Sequence, residues 1–206
     1  RLEESAVIKE ILAKYQTTYP FKSVVNLGSG DVHHLLRSKP WVRDNVFEPL
    51  LATGASIINV DAYGFPGVDL VRDLSLPNAL NFVDGIVGPR LFILANVLEH
   101  IPDLVAAMTN CRDLLEMGGE MHISVPYDLS LGAWQDPTHV RAFNENSWVY
   151  YCAWAWYLGW TGSRFNMERL EYKLSASADL ELPQEQLLRT PRAVESMYVV
   201  LKKVPI

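Results

Sequence analysis

Two apolar segments that end in turns place the strongest constraint on the fold of this chain. The first is Val24 to Asp31, where an apolar run leads into Gly28-Ser29-Gly30, and the second, about thirty residues later, is Ile57 to Asp61. Glycines directly after a strand let the backbone approach a ligand closely. An acidic residue at the end of the next strand can accept hydrogen bonds from both hydroxyls of a ribose. The two segments therefore predict a nucleoside cofactor at the ends of two buried strands.

The chain lacks residues that other nucleotide-binding motifs require, and this narrows the type of cofactor. A dinucleotide fingerprint has a third glycine at the sixth position of the motif, where this chain has His33. The phosphate loop of nucleoside triphosphatases ends in Lys-Ser or Lys-Thr, where this chain has Asp31-Val32. An acidic side chain there would repel phosphate and suit a cation. Asp31 is equally well explained as the N-cap of the next helix.

Composition limits the class of protein. The chain has 206 residues, of which 49% are hydrophobic and 20% charged, and its net charge is −6. We expect one domain over 1–206, with no nucleic-acid partner because Lys and Arg are not clustered. Cys111 and Cys152 suggest neither a zinc site nor a disulfide framework, and favour a cytoplasmic location. No apolar run approaches the roughly 20 residues of a membrane span, and the start resembles no signal peptide.

The first two thirds of the chain alternate between strands and helices. An amphipathic helix is predicted over 1–20, followed by a cofactor-binding half over 21–126. Strands are predicted at about Val24–Leu27, Ser56–Val60, Val68–Arg72, Leu91–Ala95 and Glu120–Val125. Helical regions are predicted up to Leu51 with interruptions near Pro40 and Pro49, from Pro77 to Gly85, and from Ile101 or Pro102 to Met117. This alternation predicts an α/β fold, with a parallel sheet covered by helices on both faces.

The last third, 127–206, has a different character. Asp128 to Asn146 reads as a long loop that lines or covers a site. An aromatic helix is predicted over Ser147 to Leu158, and strands over Leu170–Ser175 and Ser196–Lys202. The polar segment Ala178 to Arg192 is expected to be an insertion or surface loop.

The ordered motifs resemble those of class I S-adenosylmethionine-dependent methyltransferases, of the bacterial small-molecule type. The motifs span Val24 to Val125, and each is weak alone. They are Val24 to Asp31, Asp61, Asp73-Leu74-Ser75-Leu76-Pro77, Asn96-Val97-Leu98-Glu99-His100-Ile101-Pro102-Asp103 and Leu114-Leu115-Glu116-Met117-Gly118-Gly119. The resemblance implies a Rossmann-like, doubly wound sheet of seven strands, mostly parallel with an antiparallel last strand.

The resemblance also implies which residues bind S-adenosyl-L-methionine. Asp61 and Ala62 would contact the ribose, and Asp73 with Leu74 would lie beside the adenine. The remaining implied contacts are Asn26, Gly28, Ser29, Gly30 and, next to the transferred methyl, Asn96. This chain departs from the family pattern at two positions. In the family, the residue at the position of Asn26 is often acidic, and a glycine often stands at the position of Val32.

For the catalytic residues, the segment from Asp136 to Phe143 is the candidate. His139 has an ordinary pKa close enough to neutrality to remove a proton from an acceptor, and Asp136 could orient it. Substrate positioning and a hydrogen bond that fastens the loop remain alternatives for His139. No metal ligands are predicted, because the adjacent His33 and His34 face different directions on a helix.

Seven aromatic residues are concentrated near the predicted aromatic helix. Core packing, an acceptor pocket and a hydrophobic protein contact, including a homodimer through this helix, are the interpretations considered. The seven are Trp148, Tyr150, Tyr151, Trp154, Trp156, Tyr157 and Trp160.

The leading hypothesis for function is methyl transfer to an oxygen, or less readily a nitrogen, of a small molecule or of a sugar or lipid precursor. The alternative of a different class is a non-catalytic binding module with a degenerate cofactor site. A nicotinamide-dependent oxidoreductase is disfavoured by His33 at the third glycine position.

Overall fold

The computed structural model describes residues 23–38, 40, 43–77, 79 and 91–206. The amphipathic helix predicted over 1–20 lies outside the described residues, and so does nearly all of the helix predicted from Pro77 to Gly85.

Seven strands form a single mixed sheet. They are β1 (Ser23–Leu27), β2 (Ser56–Asp61), β3 (Leu70–Val71), β4 (Leu91–Ala95), β5 (Glu120–Pro126), β6 (Ser163–Leu174) and β7 (Val194–Pro205). Their order across the sheet is β3-β2-β1-β4-β5-β7-β6. The first five run parallel, and β7 is antiparallel to both β5 and β6. The predicted fold class is thereby confirmed, although β3 is shorter than predicted.

Helical segments connect these strands. The α-helices are α1 (Val32–Ser38), α2 (Glu48–Ala52), α3 (Leu104–Leu114), α4 (Gly132–Gln135) and α5 (Gln184–Arg189). A π-helical segment covers Arg43–Phe47, and 3₁₀ segments cover Leu98–His100, Glu145–Tyr151 and Ala155–Leu158. None of the helices in the described part of the chain is long and apolar enough to cross a membrane.

Pro49 does not interrupt the helical region that precedes β2, contrary to prediction. It lies in the first turn of α2, where a proline is tolerated because that backbone nitrogen has no helical partner. Helix α3 is also shorter than predicted, since the Asp103 side chain accepts a hydrogen bond from the Ala106 N–H and caps it. At its other end, Leu115 is extended.

The side chains of the central strands alternate between two apolar layers. Val25 of β1 and Phe92 of β4 belong to the larger layer, which also contains Met108 and Cys111 of α3. Val24 belongs to a smaller layer on the other face. The full smaller layer is Val24, Leu50, Ala55 and Leu91, with Ile57 and Ile93 packed against it. Helices on both faces therefore bury the sheet, as near-continuous apolar strands require.

The predicted aromatic helix is wrong in type, because two short 3₁₀ segments replace it. In a 3₁₀ helix residues i and i+3 share a face, and Trp148 and Tyr151 are both buried. The backbone leaves helical geometry at Cys152, the C-cap of the first segment. The segment Ala178 to Arg192 is likewise not only a loop, because it contains α5, whose Leu187 is buried.

Candidate functional site

The turn after β1 has the backbone that a close ligand approach requires. Gly28 has a φ of +67° and Gly30 a φ of +58°, values that side chains disfavour. The N–H groups of Gly28 and Ser29 both donate to the Val60 carbonyl, at 2.8 and 3.1 Å. Among the described residues, and apart from its two chain neighbours, no atom lies within 4 Å of the position that a Cβ at Gly30 would occupy. The turn is therefore fixed to β2 and open above Gly30.

Asp61, at the end of β2, faces this turn. Its Oδ2 accepts a hydrogen bond from the Gly30 N–H at 2.8 Å, and its Oδ1 accepts one from the Tyr63 N–H at 2.9 Å. A carboxylate has about four acceptor sites, so both oxygens can still accept further donors. The side chain is only partly buried, which leaves it reachable by a ligand at the strand ends.

Ser29 carries a polar atom without a partner. Its hydroxyl oxygen is buried and has no hydrogen-bond partner among the described residues. Buried hydroxyls are normally satisfied, and a ligand bound over the turn would supply that hydrogen bond.

Asn26 is buried and takes part in a polar chain across the sheet. Its side-chain amide donates to Asn59 Oδ1 at 3.0 Å, and the Asn59 backbone N–H donates to Asp69 Oδ2 at 2.7 Å. Asn26, the first of the two departures from the family pattern, is thus hydrogen-bonded to Asn59 on the neighbouring strand β2.

The second departure, Val32, is also accommodated. It is buried at the start of α1, and its N–H donates to the Pro66 carbonyl at 3.0 Å. Gly67, with a φ of +86°, lies so close that an added Cβ would come within 2.8 Å of Val32 Cβ. Asp31 is the N-cap of α1, since its Oδ1 accepts from the His34 N–H at 2.7 Å.

The other predicted cofactor residues lie at the carboxyl ends of the parallel strands. Ala62 is exposed directly after β2, and Asn96, also exposed, follows β4 with a φ of +56°. Asp73 is exposed and its Oδ1 accepts from the Ser75 N–H and hydroxyl. Leu74 is buried, and its carbonyl accepts from the Asn110 side chain at 2.8 Å.

The segment that contains His139 is docked on the turn that follows β4. The Val140 N–H donates to the Glu99 carbonyl at 2.9 Å. The Arg141 guanidinium donates from Nη2 to the carbonyls of Ile101 and Pro102, at 2.7 and 2.6 Å. The predicted loop therefore does lie beside the carboxyl ends of β4 and β5.

Asp136 and His139, which the sequence predicts to act as a pair, lie within ion-pair distance but form no hydrogen bond with one another. His139 Nε2 lies 4.0 Å from Asp136 Oδ2, which is too far for a hydrogen bond. His139 Nδ1 is 3.0 Å from the Ala133 carbonyl, which orients the ring instead. Asp136 Oδ1 accepts from the Thr138 hydroxyl and N–H, and these bonds lower the pKa of Asp136.

Glu99 is the site residue that the sequence analysis missed. It is 1% exposed, and neither carboxylate oxygen has a hydrogen-bond partner in another described residue. Burial raises its pKa to about 6, although the backbone N–H of Glu99 itself and the nearby His139 oppose that shift. His100 and His139 lie beside it, with ring centroids 4.6 Å apart. The signal available in the sequence was the Glu99-His100 pair in the turn that follows a strand.

Solved structures share this fold. A methyltransferase from Archaeoglobus fulgidus is similar with a TM-score of 0.55 and 16% identity, over 96% of this chain and 94% of that one. The Burkholderia thailandensis 1,6-didemethyltoxoflavin-N1-methyltransferase, solved with S-adenosylhomocysteine, gives a TM-score of 0.53 and 15% identity over 97% and 76% of the chains. The [4+2]-cyclase SpnF is similar with a TM-score of 0.58 and 13% identity, over 97% of this chain and 80% of that one.

No protein-family model matches the sequence, and neither does any curated protein at a significant level. At these identities the likeness defines the class of fold, which is that of S-adenosylmethionine-dependent methyltransferases. The cyclase shows that this fold also hosts other chemistry, so the activity has to be argued from the site.

Proposed function

We propose that this chain is an S-adenosyl-L-methionine-dependent methyltransferase that acts on an oxygen of a small molecule or of a sugar or lipid precursor. The observation that carries the proposal is the Asp61 carboxylate held against the open turn at Gly30. An ordered carboxylate and an open glycine turn suit an adenosine whose ribose hydroxyls donate to the carboxylate.

The proposed cofactor contacts follow from where the strands end. Asp61 and Ala62 would bind the ribose, Asp73 and Leu74 would contact the adenine, and Asn96 would lie near the methyl group. The turn of Gly28, Ser29 and Gly30 would contact the methionine part, where the buried Ser29 hydroxyl gains a partner. The cofactor itself supplies an electrophilic methyl group on a positively charged sulfur, so the protein mainly positions the acceptor.

His139 is the proposed residue on the acceptor side. Because its Nδ1 donates to the Ala133 carbonyl, the neutral ring carries its lone pair on Nε2. In the transfer, the acceptor oxygen would take the methyl group in exchange for its own proton, and His139 Nε2 would be the atom that accepts that proton. Asp136 then acts on the loop through Thr138 rather than on the ring.

Calorimetric titration with S-adenosylmethionine tests the proposal. The wild-type chain should bind with a Kd in the micromolar range, and Asp61→Ala should weaken binding by at least about 100-fold, since it removes the acceptor of both ribose hydroxyls. Asp113→Ala, which changes an exposed carboxylate on α3, is the matched control and should bind like wild type. His139→Ala should retain cofactor binding and lose turnover.

Equal binding by Asp61→Ala and wild type would refute the proposed cofactor site. Absence of heat with wild type at millimolar cofactor would instead favour the alternative, a non-catalytic binding module. One observation favours that alternative: the Asn26 amide is engaged by Asn59, which weakens its use as a contact to the methionine end.

Partners and location belong to the same proposal. We expect no nucleic-acid partner because the net charge is −6. A cytoplasmic location fits Cys111 and Cys152, which are both free thiols. A homodimer is proposed through the exposed aromatic residues of the two 3₁₀ segments.

A further inference from the structure

We propose that Glu99, His100 and His139 form a binding site for a divalent transition-metal ion. One nitrogen of each imidazole and one oxygen of the carboxylate lie within 4.8 Å of one another. The three residues come from two places in the chain, the turn after β4 and the loop after β5. The hydrogen bond from the Val140 N–H to the Glu99 carbonyl holds those two places together.

The state of Glu99 is the first argument for a bound cation. The residue is 1% exposed, and both of its oxygens are buried without a hydrogen-bond partner among the described residues. A carboxylate in such surroundings is costly to bury unless it is paired or coordinates a metal. Both oxygens are thus available to one cation.

The hydrogen bonds of the two histidines are the second argument. His139 Nδ1 is 3.0 Å from the Ala133 carbonyl, which can only accept, so Nδ1 carries the proton. His100 Nδ1 is 2.9 Å from the Thr138 hydroxyl oxygen. That hydroxyl gives its only proton to Asp136 Oδ1 at 2.7 Å, so it accepts from His100.

Both Nε2 atoms consequently keep a free lone pair in the neutral rings. Histidines that ligate metals usually donate their other ring N–H to a carbonyl or a carboxylate in this way. Here one imidazole is oriented by a backbone carbonyl. The other is oriented by a carboxylate acting through a hydroxyl.

The ligand set indicates the kind of ion. Two imidazoles and one carboxylate are a known set for Zn²⁺, with open coordination positions for water or substrate, and for other first-row divalent ions. Ligand distances of about 2.0–2.1 Å place neighbouring ligand atoms about 3.3 Å apart in a tetrahedral site. The separations between the ligand atoms, at most 4.8 Å in the structure, would therefore have to shorten by up to about 1.5 Å.

This inference deepens the proposed function and rests on it for its catalytic meaning. An open coordination position would take an oxygen of the acceptor, and a divalent cation lowers the pKa of a hydroxyl that it binds. With an ion bound, the His139 lone pair would ligate the metal, so His139 would hold the ion in place of its role as the proton acceptor. The acceptor proton would then pass to solvent water.

The test is metal binding by the untagged protein after treatment with a chelator and removal of that chelator. Zn²⁺ is titrated by calorimetry, and Co²⁺ is titrated by its visible absorption spectrum. Wild type should bind one ion with micromolar or tighter affinity. Glu99→Gln and His139→Ala should each weaken binding by more than about 100-fold, and Thr138→Val, which removes the hydroxyl that links His100 to Asp136, by about 10- to 100-fold.

His34→Ala is the matched control, because His34 is an exposed histidine on α1, and it should bind as wild type does. A second readout separates metal binding from a structural role. Zn²⁺ should raise the Tm of wild type but not that of Glu99→Gln. Without metal, the Tm of Glu99→Gln should exceed that of wild type, because the variant removes a costly buried carboxylate. No binding by wild type, or equal binding by Glu99→Gln, would overturn the inference.

Asp61→Ala separates this inference from the proposed function. It should lose cofactor binding and keep metal binding. If wild type binds the cofactor but no metal ion, only the proposed metal site is refuted. Metal binding without any cofactor binding would refute only the methyltransferase.

Discussion

Gly28 and Gly30 differ in what surrounds them, although both have a positive φ. A Cβ at Gly28 would lie 2.4 Å from Val97 Cγ2, whereas a Cβ at Gly30 would meet no atom within 4 Å. We predict that Gly28→Ala lowers the free energy of unfolding by about 3 kcal/mol, through backbone strain and overpacking. Gly30→Ala should lower it by about 1 kcal/mol, through backbone strain alone.

Urea unfolding followed by circular dichroism measures both changes. Equal losses for the two variants would contradict the role of Val97 as a packing neighbour of Gly28. Gly30→Ala should also weaken binding of S-adenosylmethionine, since the added methyl group projects into the open space beside Asp61.

The candidate site residues differ in how far they can be predicted from the sequence. Gly28, Gly30 and Asp61 could be chosen as candidates because each lies at the end of an apolar strand or just after it. Glu99 could not, because its burial depends on a segment 40 residues away folding back over it. The sequence also could not predict that the Ala133 carbonyl orients His139, since any backbone carbonyl can accept that hydrogen bond.

At the scale of elements, Arg141 fastens the loop 128–146 to the turn after β4. Its Nη2 donates to two carbonyls, those of Ile101 and Pro102. Hydrogen bonds of a charged donor are worth roughly 1.5–3 kcal/mol each. We predict that Arg141→Ala increases amide hydrogen exchange over 128–146 by at least about tenfold and raises the KM for the acceptor.

Arg189→Ala is the control for that experiment. Arg189 forms an exposed ion pair with Glu185 four residues before it, and such pairs contribute little to stability. Its exchange pattern over 128–146 should equal that of wild type. Unchanged exchange in Arg141→Ala would show that other contacts hold the loop.

Element types were predictable where apolar runs stand between turns, but element ends were less so, since the helix capped by Asp103 was predicted to begin at Ile101 or Pro102. The parallel strands were found because each is a short apolar run between turns. The aromatic segment failed because aromatic spacing fits an α-helix and a 3₁₀ helix almost equally, and tertiary packing of Trp148 decides between them. The stacking of Trp148 on Phe143, at 5.4 Å between centroids, is not visible in sequence spacing.

For the whole molecule, the aromatic residues divide into a buried and an exposed set. Trp148, Tyr151 and Trp160 are in the core. Tyr150, Trp154, Trp156 and Tyr157 form the exposed aromatic patch, of which Trp156 is 69% and Tyr157 67% exposed. Patches of this kind commonly mark protein contacts.

We predict a homodimer through that exposed aromatic patch. Sedimentation velocity at micromolar concentrations should detect dimers, and the double variant Trp156→Ser, Tyr157→Ser should be monomeric because it removes two of the exposed rings. Leu180→Ser changes an equally exposed apolar residue elsewhere and should still dimerise. A monomer at every concentration of wild type would contradict the prediction.

The parallel part of the topology was predictable because alternating strands and helices admit few arrangements, whereas the seven strands and the antiparallel last strand were expected only from the resemblance to methyltransferases. The order β3-β2-β1-β4-β5-β7-β6 brings Asp61, Asn96 and the loop after β5 to one edge of the sheet. Which acceptor fits there depends on side chains from distant segments, and local sequence does not encode that shape.

A crystal structure of the chain with S-adenosylhomocysteine would show the proposed cofactor site itself. Both ribose hydroxyls should donate to the Asp61 carboxylate, and the ligand should cross the open face of Gly28 to Gly30. A ligand bound elsewhere, or an Asp61 carboxylate that accepts from the N–H groups of Gly30 and Tyr63 and from neither ribose hydroxyl, would contradict the proposed site.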